Sequence, residues 1–334
     1  MRIDPRTVPT RVLRNGIEIP AIGLGTFGSD HIDATDVARA VDHAIAVGYR
    51  HIDAASVYGN EPEIGDVLAR HIRSGVPRED LWISSKLWND AHDPARVGRA
   101  CERSLNDLGL DHLDAYLVHW PFSNHHPVGA TVDDRHANAR SFSAERYLET
   151  WNAMETLVDR GLVRVIGTSN MTQPKLEAVL GDMRIQPAVN QLELHPHHQQ
   201  PALAAYLRTK HIVPIGFCPI GSPARPERDR TPDDTSPTTD PTITRIAARY
   251  GLHPATLCVA WACQRGHIPI PFSTTPANIE ANLHAAVSVR LNDDDMAAID
   301  AADRDCRLIK GQVFLWREGQ DWRDLWDLDG IIAH

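Results

Sequence analysis

The sequence predicts an α/β protein built as a closed (β/α)8 TIM barrel, and three observations carry that expectation. Eight short apolar runs alternate with segments of helical period along the 334 residues. Such alternation implies parallel strands joined by crossover helices, and eight units close a barrel. No domain linker and no internal repeat beyond the βα period is visible, so residues 1–334 read as one domain. The competing open, doubly wound sheet needs G-x-G-x-x-G after its first strand and an acidic residue about 20 positions on. Gly23, Gly25 and Gly28 have the spacing, but the nearest suitable acid, Asp53, lies 30 residues after Gly23.

At the N-terminus, "VLRNGIEIPAIGLG" places Asn15-Gly16 between apolar residues, a two-residue hairpin signal. Such a hairpin is expected to plug the bottom of the barrel. The strand candidates follow: "AIGLGTF" (21–27), "RHIDAA" (50–55), "LWISSKL" (81–87), "LDAYLVHW" (113–120), "VRVIGTS" (163–169), "AVNQLEL" (188–194), "IVPIGFC" (212–218) and "IPIPFST" (268–274). Each is strand-length and rich in β-branched or aromatic residues. Between them, "DATDVARAVDHAIAVG" puts Val37, Ala40, Val41, Ala44 and Ile45 on one helical face and stops at Gly48. "DPARVGRACERSLNDLG" opens on an aspartate cap followed by proline at the first helical position. "SAERYLETWNAMETLVDRG" is a further helix, ended by Gly161. Three stretches, 121–143, 221–240 and 303–334, are too long for simple connections. The second is rich in Pro, Asp and Thr and is expected to be mobile. Long loops on a rigid scaffold carry binding, and 303–334 is expected at the barrel mouth.

Composition narrows the function. With 44 acidic against 34 basic residues the net charge is −10, which argues against nucleic-acid binding. The polar start "MRIDPRTVPT" has no apolar signal region, and no apolar stretch approaches the roughly 20 residues of a membrane span. Five scattered cysteines without a C-x-x-C read as reduced thiols in a cytoplasmic protein. "SNHHP" (123–127) and "LHPHHQQ" (194–200) are histidine-rich but lack metal-ligand spacing, so no metal site is expected and solvated loop histidines are.

Functional groups in such a barrel sit where strands end and loops begin. The second strand ends at Asp53 with Tyr58 in the loop beyond, the third at Lys86, the fourth at His119. Each alone has an ordinary reading, as a helix cap or a satisfied interior group. Four at consecutive strand ends point to chemistry. A tyrosine is a weak acid near neutrality, and an adjacent ammonium is expected to lower its pKa. Lys86 supplies that ammonium, Asp53 holds it, and His119 positions the oxygen being reduced. Tyr58 then reads as a general acid for a developing alkoxide. With no metal-ligand spacing, the hydride must come from an organic cofactor.

"GYRHIDAASVYGNE", "SSKLWN", "YLVHWP", "VIGTSNM" and "NQLELHP" together resemble the aldo-keto reductase family, in order and with family spacing from about Asn15 to the C-terminal helices. The resemblance implies Tyr58 as proton donor, supported by Asp53, Lys86 and His119. It also implies a nicotinamide cofactor, NADP(H) or NAD(H), extended across the mouth. Ser169, Asn170 and Gln191 would hold the carboxamide, and Phe217 would stack on the ring where the family usually has tyrosine. Gly25, Thr26, Ser222 and Asn282 complete the expected cofactor set. Cys218 follows Phe217 where serine is usual and reads as a small packed residue.

A second departure concerns the adenosine 2′-phosphate. A lysine and an arginine usually grip it, and here Phe272 and Asn278 stand in their places. Ser273, Thr274 and Thr275 offer hydroxyls, the helix after Pro276 offers backbone N–H groups, and Arg265 is a candidate to reach in. The NADPH or NADH preference therefore stays open. The expected substrate is a small carbonyl compound in a pocket walled by Phe27, Val57, Trp88 and Trp120, with Trp316 from the tail. Trp316, Trp322 and Trp326 read equally as a sugar-binding surface or as a tail docked on the barrel. A monomer or weak homodimer is expected. The competing function is a non-catalytic, cofactor-binding regulatory subunit of the same fold.

Overall fold

The computed structural model describes residues 2–28, 31–123 and 139–334. Most of the 121–143 stretch, with His125 and His126, lies outside them. A short antiparallel hairpin, β1 (Thr10–Val12) and β2 (Glu18–Pro20), precedes the eight-stranded parallel sheet. The sheet strands are β3 (Leu24–Gly25), β4 (His51–Asp53), β5 (Trp82–Leu87), β6 (Leu113–Val118), β7 (Val163–Ser169), β8 (Val189–Glu193), β9 (Val213–Phe217) and β10 (Ile268–Pro269). They pair in sequence order, and each falls inside one of the eight apolar runs.

Closure runs through β3 and β10. Gly23 N–H donates to the Pro269 carbonyl at 3.0 Å and Gly25 N–H to the Pro271 carbonyl at 3.1 Å. Prolines 269 and 271 have no N–H to return, so the ladder across this seam is one-sided. That is why the first and last strands are shorter than their apolar runs. Helices α1 (Ala34–Val47), α2 (Glu61–Arg73), α3 (Pro94–Leu108), α4 (Ala144–Asp159), α5 (Gln173–Val179) and α6 (Pro201–Thr209) each follow a strand. Two helices, α7 (Pro241–Arg249) and α8 (Pro254–Gln264), separate β9 from β10; α9 (Pro276–Ser288) and α10 (Asp293–Asp300) follow. α9 packs on α1, which completes the outer ring. The expected Asp93 cap forms on α3, and the Asp33 and Ser143 side chains likewise accept backbone N–H groups in the first turns of α1 and α4.

Side-chain alternation sorts each strand between two cores. On β5, Ile83 and Leu87 face the helices, while Trp82, Ser84 and Lys86 face the barrel axis. Gly167 of β7 leaves room for this interior: a Cβ there would lie 2.6 Å from both Leu117 and Val189 side chains. Leu13 and Ile19 of the hairpin are buried against Trp82, Val165, Val189, Ile215 and Ile268. The hairpin therefore plugs the end where the strands begin. Its turn is not the two-residue one expected. Leu13 N–H bonds the Ile17 carbonyl at 2.8 Å, so Arg14-Asn15-Gly16 form a three-residue loop, with Gly16 at φ 80° in the left-handed position.

Candidate active site

The strand ends bring the four predicted polar residues to one mouth. Asp53 is the last residue of β4, and its carboxylate is fully engaged: Oδ2 accepts from Lys86 Nζ at 2.5 Å, Oδ1 from Ser84 Oγ at 2.8 Å and from Gln191 Nε2 at 2.9 Å. Asp53 therefore caps no helix. Lys86 is completely buried and also donates to the Ala54 carbonyl at 2.8 Å. Burial opposes its charge, but Asp53 and Tyr58 outweigh that and raise its pKa, so it stays an ammonium.

Tyr58 ends a single 3-10 turn, Ser56–Tyr58, closed by Gly59 at φ 66°. The loop is moored by two buried bonds, Asn60 Nδ2 to the Thr26 carbonyl (2.8 Å) and Thr26 Oγ1 to the Asp53 carbonyl (2.9 Å). Lys86 Nζ sits 5.2 Å from the Tyr58 ring centroid, near enough for its charge to act on the hydroxyl. The expected net lowering of the tyrosine pKa does not hold in this structure. Burial raises it and outweighs Lys86, which pulls the other way. The hydroxyl thus keeps its proton through the neutral range. The His119 ring lies 5.8 Å from the Tyr58 ring, nearly edge-on, and burial with the Lys86 charge pushes its pKa well down, so it is a neutral imidazole. Its Nδ1 is buried without a partner.

Beside this group lies a shelf of amides. Ser169 and Gln191 are paired in register, and Ser169 Oγ donates to the Gln191 carbonyl at 3.0 Å. Asn170 sits at φ 57° and donates through Nδ2 to the His119 carbonyl at 3.0 Å. Neither Ser169 nor Asn170 caps α5, since Thr172 does. The Asn170 Oδ1 is buried with no partner, an acceptor that fits the N–H of a carboxamide. Phe217 is half-buried at the end of β9; Cys218 and Ser222 follow at φ 50° and 38°. Burial pushes the Cys218 thiol up, in keeping with a packed, inert group.

At the other end of the shelf, Phe272 and Ser273 are half-buried, Thr274 and Asn278 exposed, Asn282 buried. Ser273 Oγ accepts from Thr275 N–H and Asn278 Nδ2 at 3.1 and 3.3 Å. Arg265 does not join them. It precedes β10 at the opposite end, where its Nη1 donates to Asp300 Oδ1 at 2.5 Å and to Gln199 Oε1 at 2.9 Å. An aromatic wall rises over His119: Trp88 at 5.1 Å, Phe314 at 6.1 Å from Trp88, and Trp120 at 4.3 Å from Phe314. Phe27 stands 5.1 Å from Tyr58, and Trp316 6.0 Å from Phe122. The tail is docked as well as aromatic, with Phe314, Leu325 and Trp326 buried in the main core. Phe314 was not singled out from sequence, nor were Ser84 and the link from Gln191 to Asp53. Ser84 carries a signal, two residues before Lys86 on the same strand face.

The histidines of "LHPHHQQ" are not solvated. His195, His197 and His198 are all buried, because the segment after α10 covers this loop. His195 Nε2 meets Glu193 Oε1 at 2.9 Å, and His197 Nδ1 meets Thr235 Oγ1 at 2.8 Å. Among the described residues no cluster suits a metal ion. Glu193 also accepts from the Leu308 and Ile309 N–H groups at 2.6 and 2.8 Å, which anchors the tail two residues beyond Gln191. Burial would raise the Glu193 carboxyl, but His195, His198 and Arg307 outweigh it and hold it down at about 2. A depressed folded-state pKa stabilises above the unfolded value, and the effect fades as pH falls towards the folded one. Glu193 therefore contributes about 3 kcal/mol near neutrality that is lost between about pH 4.5 and 2. Thermal melts of wild type and Glu193→Gln should show a gap in midpoint that narrows as pH falls through this window. A gap independent of pH would refute the assignment.

A parallel barrel with its ionisable groups gathered where the strands end is an enzyme scaffold. The model of the Aldo/keto reductase family matches residues 21–304. The chain belongs to that family, and it is an NAD(P)H-dependent oxidoreductase. It is 43% identical over 318 residues to the aldo/keto reductase slr0942 of Synechocystis sp., covering 94% of this chain and 95% of the relative. It is 37% identical over 303 residues to aldo-keto reductase family 1 member A1 of Homo sapiens, covering 89% and 90%. A crystal structure of a Bombyx mori aldo-keto reductase in complex with NADP is similar at TM-score 0.80 and 33% identity, over 90% of this chain and 95% of that one. No described helix is long and apolar enough to cross a membrane.

Proposed function

We propose that the protein reduces the carbonyl of a small aldehyde, ketone or sugar-like molecule, and oxidises the alcohol in reverse, with Tyr58 as general acid. The observation that carries this is a buried Lys86 ammonium fixed by Asp53 at 2.5 Å and lying 5.2 Å from the Tyr58 ring centroid. Bound reduced nicotinamide supplies the hydride. Tyr58 gives its proton to the carbonyl oxygen, and Lys86 stabilises the phenolate left behind. His119, neutral, donates a hydrogen bond to the same oxygen and fixes its position. The unpartnered Asn170 Oδ1, with Ser169 and Gln191, holds the carboxamide; Phe217 covers the ring. Gly25, Thr26, Ser222 and the 272–282 segment line the rest of the cofactor. Phe27, Trp88, Trp120 and Trp316 exclude water and sort substrates by shape, and residues 303–334 form one wall of the same single domain. The protein works as a monomer or weak homodimer; its place is the cytoplasm, a location supported by five unpaired cysteines.

The test is oxidation of NADPH and of NADH against a panel of aldehydes, ketones and sugars. Turnover of at least one carbonyl class is expected. Cofactor binding with no turnover would instead favour a regulatory subunit. Two lost charge-assisted contacts, about 1.5–3 kcal/mol each, remove roughly 10²–10⁴ of any preference for the 2′-phosphate. The ratio of kcat/KM for NADPH over NADH should then fall below about 10². A ratio above that would mean that another group replaces the two missing cations.

A further inference from the structure

The opposite end of the barrel holds a group of cations with no use in carbonyl reduction. A cleft of about 450 Å³ opens between the hairpin and the start of β9. Arg11 and Arg14 line it from the hairpin, Arg208 and His211 from the end of α6, over a floor of Leu13 and Val213. No aspartate or glutamate lines it. Among the described residues Arg11, Arg14 and Arg208 form no ion pair, although the chain carries a net charge of −10. Arg11 is preset: Nη2 donates to the Cys263 carbonyl at 2.5 Å and Nη1 to the Thr10 carbonyl at 3.3 Å, while its Nε is buried without a partner. The field of the cluster reaches inward. Burial, followed by the charges of Arg265, Arg208 and Arg11, pushes the buried His267 imidazole down to about 3.

Arg11, Arg14 and Arg208 line one concavity, and like charges gathered there repel each other unless an anion neutralises them. Guanidinium forks match phosphate oxygens in pairs. The volume lies in the range of small-ligand sites, and an apolar floor beneath convergent polar groups is their usual form. We propose that this cleft binds a phosphate-bearing small molecule, at a site separate from the one that reduces carbonyls. Because the strands begin here and Tyr58 lies beyond their far ends, occupancy does not compete with cofactor or substrate. Its effect is stabilisation by mass action.

The probe is inorganic pyrophosphate, titrated calorimetrically into the protein already saturated with NADPH, so that phosphate subsites at the mouth are filled. Wild type should bind one equivalent, more weakly as salt rises. The exposed pair Arg14→Ala/Arg208→Ala should lose at least about tenfold in affinity while its melting temperature and carbonyl turnover stay at wild-type values. No binding by wild type, or equal binding by the double variant, overturns the proposal. So does arginine-dependent binding of a short glutamate-rich peptide in place of pyrophosphate, which would make the cleft a protein-docking site. Carbonyl turnover, read on the same samples, separates failure here from failure of the reductase reading.

Discussion

Replacing Tyr58 with phenylalanine should lower kcat for carbonyl reduction by about 10²–10⁴-fold, the usual worth of a positioned general acid, and leave cofactor affinity nearly unchanged. The ring itself is kept, so its contacts with Phe27 and His119 survive. Only the hydroxyl is lost, and with it the proton that the proposed mechanism gives to the alkoxide. Lys86 cannot take over easily. It donates to Asp53 and to the Ala54 carbonyl, and its raised pKa makes it a poor acid. His119 is neutral and gives no net charge to a developing alkoxide. The measurement is steady-state reduction with the best carbonyl of the panel, alongside direct titration of NADPH. A variant as fast as wild type would move the acid elsewhere. A loss of cofactor binding in step with kcat would show that the change disturbed the shelf at Asn170 instead.

The four residues behind this expectation were legible because barrel strands put their last inward residues at one mouth, whatever the details of the fold. Asp53, Lys86 and His119 needed only a correct strand end and the two-residue alternation. Long-range packing was not legible. The Asp53 carboxylate meets Gln191, 138 residues away, because β4 and β8 both project inward across the barrel axis. No local pattern announces that. Burial of His195, His197 and His198 depends on the tail folding back over their loop. Arg265 failed as a phosphate ligand for a simple topological reason: it precedes its strand, whereas Phe272 and Ser273 follow it. The sign of the Tyr58 shift was missed because desolvation depends on walls that local sequence does not reveal. The 221–240 stretch, loose by composition, is tied by Asp234, which accepts from Lys310 at 2.5 Å, from Thr231 and from Arg225.

That tie is one of several that hold the tail over the mouth, and the bonds of Glu193 to Leu308 and Ile309 are another. A further tie is a buried ion pair. Lys175, on the first turn of α5, and Thr172, its cap, both donate to Asp327 Oδ2, and Lys175 also donates to the Leu325 carbonyl at 2.9 Å. Both side chains of the ion pair are out of solvent, and the ammonium lies 5.5 and 5.8 Å from the Phe122 and Phe142 rings. Burial lowers the Lys175 pKa against the pull of Asp327, so the pair stands close to the balance between desolvation and attraction. Removing one partner leaves the other charge in an apolar site. Lys175→Met should therefore cost about 3–5 kcal/mol, a large part of the roughly 5–15 kcal/mol that keeps a domain folded. Urea unfolding measures it directly. The double variant Lys175→Met/Asp327→Leu should recover much of the loss, since two apolar groups replace the pair without stranding a charge. The tail has a cheaper escape, which is to peel away and let Asp327 reach water. If it does, global stability falls by less than about 1 kcal/mol, but the wall that Phe314 builds with Trp88 and Trp120 opens. KM for the carbonyl should then rise while kcat changes little, and protease should cut within the tail. Stability, KM and proteolysis all unchanged would show that the buried pair neither holds the tail nor shapes the pocket.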